Sequence, residues 1–191
     1  MKIGIYAGSF NPIHNAHLKI AEHIIEKGIV DRVVFVPAGD DYNKKGLIEG
    51  AKRYEMIKLV VENNLKLSVS DIEIINKKLY SYQTLDYFKE KYQNDRIYFV
   101  MGSDNLNEFH LWKNPEYILE NYGIVVFLRN GQKIEDFKKY LEYENIEFLE
   151  YNDRLSSTEI RKNIKEGNYD EAASKVDGKV LSYIRENRLY E

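Results

Sequence analysis

The sequence predicts an α/β fold, a Rossmann-like doubly wound parallel sheet of five or six strands with a helical C-terminal cap. Short β-branched or aromatic runs alternate with amphipathic stretches along most of the chain, the pattern of repeated βαβ units. The runs Val33 to Val36 and Ile124 to Phe127 are continuously apolar, as strands covered by helices on both faces must be. A length of 191 residues suits one domain over residues 1–191, with 155–191 as a helical C-terminal subdomain.

In chain order, Ile3 to Ala7 reads as the first strand, Asp31 to Val36 as the second, Leu67 to Ile72 as the third, Ile97 to Met101 as the fourth, Gly123 to Leu128 as the fifth and Ile146 to Leu149 as a sixth. Between them, Leu18, Ala21, Ile24 and Ile25 recur at three- and four-residue steps, as do Met56, Ile57, Val60 and Val61, and then Leu85, Phe88 and Tyr92. These are helices expected to lie on the sheet. After residue 155 only helical patterns follow, at Ser157 to Glu166, Tyr169 to Lys175 and Val180 to Asn187. Gly46 to Gly50, beside Lys44-Lys45, reads as a mobile loop.

Composition narrows the function classes. A formal net charge of −3 lacks the basic excess of proteins that live on nucleic acid, so long polyanions are not expected partners. With no Cys there are no thiolate metal sites or thiol nucleophiles, and a reducing cytoplasm is the expected location. No stretch approaches the roughly 20 apolar residues of a membrane span, so no membrane partner is expected.

The first strand runs into Gly8-Ser9-Phe10-Asn11-Pro12-Ile13-His14-Asn15-Ala16-His17, and a helix begins near its end. In open parallel sheets ligands bind beyond the carboxyl ends of the strands, and this turn suits a phosphate. Gly8 lets backbone approach closely, the helix N-terminus offers free N–H groups, and His14 and His17 add donors. Metal binding is not expected, since no third ligand lies near the two histidines. Farther on stands Leu155-Ser156-Ser157-Thr158-Glu159-Ile160-Arg161. Ser156 with Glu159 reads as a capping box, which is a sufficient reason for the segment by itself. It also exposes Ser157 and Thr158 at a positive helix end, with Arg161 one turn on as a bidentate fork. Two such anion sites suggest a ligand with several phosphates.

Together these segments resemble the nucleotidylyltransferase superfamily of the HxGH and SSTxIR motifs, and within it the bacterial nicotinate mononucleotide adenylyltransferases. The resemblance spans almost the whole chain, with further landmarks at Phe35-Val36-Pro37-Ala38-Gly39, Arg53-Tyr54-Glu55-Met56 opening the second helix, Asp71-Ile72-Glu73 at the end of the third strand, Ser81-Tyr82-Gln83-Thr84-Leu85, Gly102-Ser103-Asp104 and Trp112-Lys113-Asn114. It implies transfer of AMP from ATP to nicotinate mononucleotide, giving deamido-NAD and pyrophosphate in NAD biosynthesis, with Mg²⁺ carried on the ATP. It further implies that His14 and His17 contact the ATP phosphates, that Gly8, Ser9 and Phe10 cradle phosphate, and that Gly102 and Asp104 hold the ribose. Ser157, Thr158 and Arg161 would grip the β- and γ-phosphates, with His14, His17 and Arg161 as the catalytic set, while Thr84 and Trp112 would hold the nicotinate ring. Taken alone, Trp112 is equally a half-buried core aromatic, Asp104 a helix N-cap before Leu106, and Thr84 a helix-start hydroxyl.

Two departures from the family pattern stand out. Ala16 replaces the Gly of HxGH, and Asp40-Asp41-Tyr42-Asn43-Lys44-Lys45 replaces the usual Pro-Pro-His-Lys, leaving Lys44 or Lys45 to neutralise the acceptor phosphate. The alternatives are a related nucleotidylyltransferase acting on another phosphorylated acceptor or with CTP, and a non-catalytic nucleotide-binding module. A homo-oligomer is compatible with all of them.

Overall fold

A computed structural model describes residues 1–41, 45–76, 78–129, 131–151 and 155–191. Among these, six strands form one sheet in the order β3-β2-β1-β4-β5-β6, every neighbouring pair parallel. The strands are β1 (Lys2–Gly8), β2 (Arg32–Pro37), β3 (Leu67–Val69), β4 (Arg96–Gly102), β5 (Gly123–Leu128) and β6 (Ile146–Glu150). The chain winds outward in one direction from β1 through β2 to β3 and in the other through β4 and β5 to β6. The order therefore reverses between β1 and β4, where neighbouring connections leave to opposite faces and open a crevice at the carboxyl ends. In register, Tyr6 of β1 faces Val100 of β4, so both strands end at the same level.

Period-two alternation along the strands divides the interior in two. Tyr6, Val33, Phe35, Val100, Val125 and Phe127 point to one face, where they meet α1 (Asn15–Glu26) through Ile20 and Ile24 and α2 (Gly50–Val61) through Met56 and Ile57. The last three helices, α7 (Ser157–Lys165), α8 (Tyr169–Ala173) and α9 (Gly178–Glu186), send Ile160, Ile164, Ala172, Val180 and Ile184 into that same cluster. Ile3, Ile5, Val34, Val36, Phe99 and Val126 point to the opposite face, against Leu85 and Phe88 of α4 (Ser81–Lys91) and Ile118 of α6 (Pro115–Asn121). Each large apolar side chain removed from water in this way contributes about 1.5–3 kcal/mol.

The third strand is shorter than the sequence pattern predicts. Ser70 still donates its N–H to Phe35 O at 2.9 Å, but Asp71 then turns the chain, its carbonyl accepting from Ile74 N–H at 2.8 Å. Ile72, read as strand, instead opens the single-turn helix α3 (Ile72–Ile75). Between β4 and β5 the structure adds α5 (Ser103–Glu108), which the sequence offered only through the alternative of Asp104 as an N-cap, and α6, which the sequence reading did not identify. Pro115 at the first position of α6 needs no N–H there, and Asn114 before it takes a left-handed φ of 52°. No described helix is long and apolar enough to cross a membrane.

Candidate functional site

A cleft of about 860 Å³ opens at the carboxyl ends of β1 and β4, at the reversal of strand order. One wall is the turn after β1. Phe10 holds a left-handed φ of 41°, a cost of about 1–3 kcal/mol for a non-glycine residue. Its ring lies buried against Tyr6, Phe35 and His17 at centroid distances of 5.3, 5.5 and 5.0 Å, and that packing holds the turn in shape. Gly8, Ser9 and Phe10 all line the cleft.

The two histidines serve the helix and the cleft together. His14 is the N-cap of α1 in extended conformation and His17 its third helical residue; the rings stack at 3.7 Å, 22° from parallel. His17 Nδ1 accepts from the His14 backbone N–H at 3.3 Å, so a neutral His17 ring carries its proton on Nε2 as a donor. Burial, reinforced by His14 and Arg129, holds the His17 imidazole well below its usual pKa. His17 is thus a neutral hydrogen-bond donor at pH 7 rather than a cation. Ala16 is buried at the usual glycine position of the motif, and its carbonyl accepts from the Tyr151 hydroxyl at 3.2 Å.

The second wall is the start of α7, which lies directly across from the first turn. Ser157 Oγ donates to Pro12 O at 3.0 Å, and Arg161 Nη1 donates to Asn11 O at 2.8 Å. Arg161 Nη2 reaches Thr158 Oγ1 at 3.2 Å, so the guanidinium is pinned on two sides while lining the cleft. Asn11 is the hub of this wall: its Nδ2 donates to Gly46 O at 2.8 Å, and its Oδ1 accepts from the Tyr190 hydroxyl at 2.9 Å. The stretch read as a mobile loop is therefore tied to the turn after β1 at Gly46. Only half of the expected capping box is present. Ser156 Oγ accepts from Glu159 N–H at 3.3 Å, but the Glu159 carboxylate pairs with Lys175 at 2.6 Å instead of returning to the cap.

At the end of β4, a Cβ on Gly102 would lie 2.4 Å from Asp104 Oδ1, so only glycine lets that carboxylate fold back over the strand end. Asp104 is not the N-cap of α5, which is Gly102; its carboxylate faces the cleft and lies 3.7 Å from Arg129 Nη1. Arg129 stacks over Phe127, with the guanidinium carbon 4.7 Å from the ring centroid. Sequence reasoning missed Arg129, although it is the first residue past a continuously apolar strand, at the edge where ligands bind.

The first turn and the start of α7 thus face each other across one cleft. Residues 5–163 match the cytidylyltransferase-like family model. The chain belongs to the cytidylyltransferase-like family. Among its relatives, proteins named probable nicotinate-nucleotide adenylyltransferase from Clostridium acetobutylicum and Clostridium tetani are 38% and 34% identical, each aligned over 99% of this chain and 98% of the relative. A solved structure titled Plasmodium falciparum nicotinic acid mononucleotide adenylyltransferase complexed with NaAD superposes with a TM-score of 0.80 at 25% identity, covering 99% of this chain and 97% of that one.

The far end of the cleft differs from the sequence expectation for the family's acceptor residues. Trp112 does line it, its ring edge-on to Phe99 at 5.9 Å and tilted against Phe109 at 5.3 Å, so it is both half-buried and cleft-facing. Thr84 does not. It is 1% exposed, one turn inside α4, and its hydroxyl donates to Glu73 Oε1 at 2.8 Å. The α4 residue that lines the cleft is Ser81, at the first helical position, preceded by Lys78, Leu79 and Tyr80. Lys44 lies outside the described residues. Asp40 is no free surface carboxylate: it accepts from Gly50 N–H at 2.6 Å and from Arg53 Nη2 at 3.1 Å. Arg53, fully buried, also donates to Ser9 O, Ala38 O and Ile48 O, tying together the ends of β1 and β2 from beneath.

Proposed function

We propose that this chain is a nicotinate-nucleotide adenylyltransferase, which transfers AMP from ATP to nicotinate mononucleotide and releases deamido-NAD and pyrophosphate. The observation that carries the reading is the meeting of two anion-binding helix starts, separated by most of the sequence, through Ser157 to Pro12 O and Arg161 to Asn11 O. The family's named relatives and the NaAD-bound structural neighbour support the choice of acceptor.

In this reading ATP arrives with Mg²⁺ on its phosphates. Its adenosine lies toward Gly102, Asp104 and Arg129, and its triphosphate lies between the first turn and α7. Gly8, Ser9 and Phe10 border the phosphates, the His17 Nε2–H donates to an α-phosphate oxygen, and Ser157, Thr158 and Arg161 hold the β- and γ-phosphates. The acceptor's phosphate oxygen attacks the α-phosphorus in line; a new O–P bond forms as the Pα–O–Pβ bond breaks, and pyrophosphate departs against Arg161. The nucleophile is already an anion, so no general base is needed. Catalysis is positioning plus stabilisation of charge on the transferring phosphoryl group. The pyridine ring lies at the opposite end, over Trp112 and against the N-terminus of α4 at Ser81, where free N–H groups favour an anionic ring substituent. Lys44, outside the described residues, remains our candidate for the acceptor phosphate.

Pyrophosphate release measured with ATP and Mg²⁺, comparing nicotinate mononucleotide, nicotinamide mononucleotide and other phosphorylated acceptors, tests the proposal. Preference for nicotinate mononucleotide is expected. Turnover only with another acceptor or with CTP would move the chain to a different branch of the family, and ATP binding without any turnover would make it a binding module.

A further inference from the structure

The acceptor end holds one carboxyl that the proposed chemistry leaves unused. Glu73, on α3, lines the cleft. It is held from behind: a Cβ on Gly39 would lie 2.3 Å from the Glu73 carbonyl oxygen, so the end of β2 packs directly on the α3 backbone. Of its two carboxyl oxygens, Oε1 takes the Thr84 hydroxyl, while no described residue bonds Oε2. Thr84 is one turn inside α4, behind Ser81, so the carboxyl stands beside the helix N-terminus assigned to the ring substituent.

Resting on the functional reading above, we infer that Glu73 is the residue that distinguishes an acid from an amide on the pyridine ring. In its protonated form Glu73 donates the Oε2 proton to the ring carboxylate of nicotinate mononucleotide, and in its ionised form it accepts from the amide N–H of nicotinamide mononucleotide. An acid–carboxylate pair of this kind carries one net negative charge facing the α4 N-terminus, whereas two ionised carboxylates there would repel. The groups around Glu73 permit both forms. Arg53 on α2 favours the anion from beneath but is itself engaged by Asp40, the Thr84 hydroxyl favours the anion from α4, and Lys78 and Asp41 line the same cleft with opposite charge. Burial outweighs Arg53 and Thr84 and pushes the Glu73 carboxyl up to about 7, so both forms are populated near neutral pH.

The ratio of kcat/KM for nicotinate over nicotinamide mononucleotide, measured from pH 6 to pH 9, tests this. Titration of the shared substrate phosphate cancels in the ratio, so only a group that tells acid from amide remains. The expected result is a ratio that follows the protonated-to-ionised ratio of Glu73 and so falls by about tenfold per pH unit across this range, and becomes independent of pH in Glu73→Gln, which keeps a donor without a charge. A flat ratio in the native protein, or the same slope in Glu73→Gln, overturns the inference. If Glu73→Gln fails to fold, calorimetry of the native protein at pH 8 in two buffers of different ionisation enthalpy decides. Proton uptake must be greater for the nicotinate than for the nicotinamide compound, and equal uptake rejects the inference. Loss of turnover with both mononucleotides would instead defeat the functional reading itself.

Discussion

The two ends of the cleft are built in different ways. At the end proposed for phosphate, two contiguous segments, residues 8–17 and 155–161, line the cleft, and they bond to each other through Asn11, Pro12, Ser157 and Arg161. At the end proposed for the acceptor, Glu73, Ser81 and Trp112 come from three separate stretches, and the side-chain hydrogen bond from Thr84 to Glu73 joins the first two. Phosphate binding needs many N–H groups aimed at one point, which one tight turn or helix start supplies together. A flat aromatic acceptor needs single contacts on different sides, so its residues need not be neighbours in sequence. Mutations at the phosphate end should therefore reduce turnover, and mutations at the acceptor end should change KM and selectivity.

The largest effect is expected at His17. Removing one preorganised donor to the transferring phosphoryl group costs about 10²–10³ in kcat, so His17→Ala should lower turnover by at least about two orders of magnitude. The buried ring also completes the His14 cap, so thermal stability must be followed in parallel; intact folding with near-normal turnover would remove His17 from the chemistry. Because burial holds the imidazole well below its usual pKa, the free-energy consequence has a definite sign. The unfolded chain takes up the proton first, so the stability that neutral His17 contributes is present above about pH 6.5 and is lost as pH falls below it.

Arg161→Lys comes next. The guanidinium bonds Asn11 O and Thr158 Oγ1 with separate nitrogens while facing the cleft, and an ammonium cannot reproduce that fork. A roughly tenfold or greater loss in kcat/KM for ATP is expected, on the scale of one charge-assisted hydrogen bond. Unchanged kinetics would mean that Arg161 only staples α7 to the first turn. At the other end, Trp112→Ala should raise KM for the mononucleotide several-fold, the equivalent of about 0.5–1.5 kcal/mol of stacking, with KM for ATP little changed. An equal rise for both substrates would erase the proposed division between the two ends.

The same contrast explains what the sequence made legible. The parallel sheet, its two-sided cover and the C-terminal helices follow from periodicity, and the strand ends agree within a residue or two except at Ile72, where Ser70 and Asp71 turn the chain early. Helices α3, α5 and α6 are short, with too few turns to establish a period. The two segments proposed to hold phosphate stand out in the sequence because their residues are consecutive. Thr84 lies behind Ser81 because helix phase decides which of the two faces the cleft, and that phase depends on where the N-cap falls. Arg53 was marked by the family resemblance, but not its role: a fully buried arginine bonded to three backbone carbonyls looks, in sequence, like any solvated arginine on a helix.

The smallest expected effect sharpens the acceptor end most. Thr84→Val keeps the volume and the burial of the side chain but removes the hydroxyl that bonds Glu73 Oε1. That bond favours the ionised carboxyl, so its loss should move the Glu73 titration above about 7. A carboxyl whose folded pKa is raised stabilises the fold fully below its unfolded value, 4.5, and loses that contribution as pH rises through about 7. Thr84→Val extends this loss to higher pH. The variant should therefore be about 1 kcal/mol less stable than the native protein at pH 8, where the anion has lost its donor, and by less at pH 5.5, where the neutral acid depends on it less. In the acceptor assay, the fall in the nicotinate-to-nicotinamide ratio should shift to higher pH by the same displacement. A Thr84→Val protein with equal destabilisation at both pH values and an unshifted ratio would mean that Thr84 is only packing, and that Glu73 is controlled from the cleft rather than from the helix behind it.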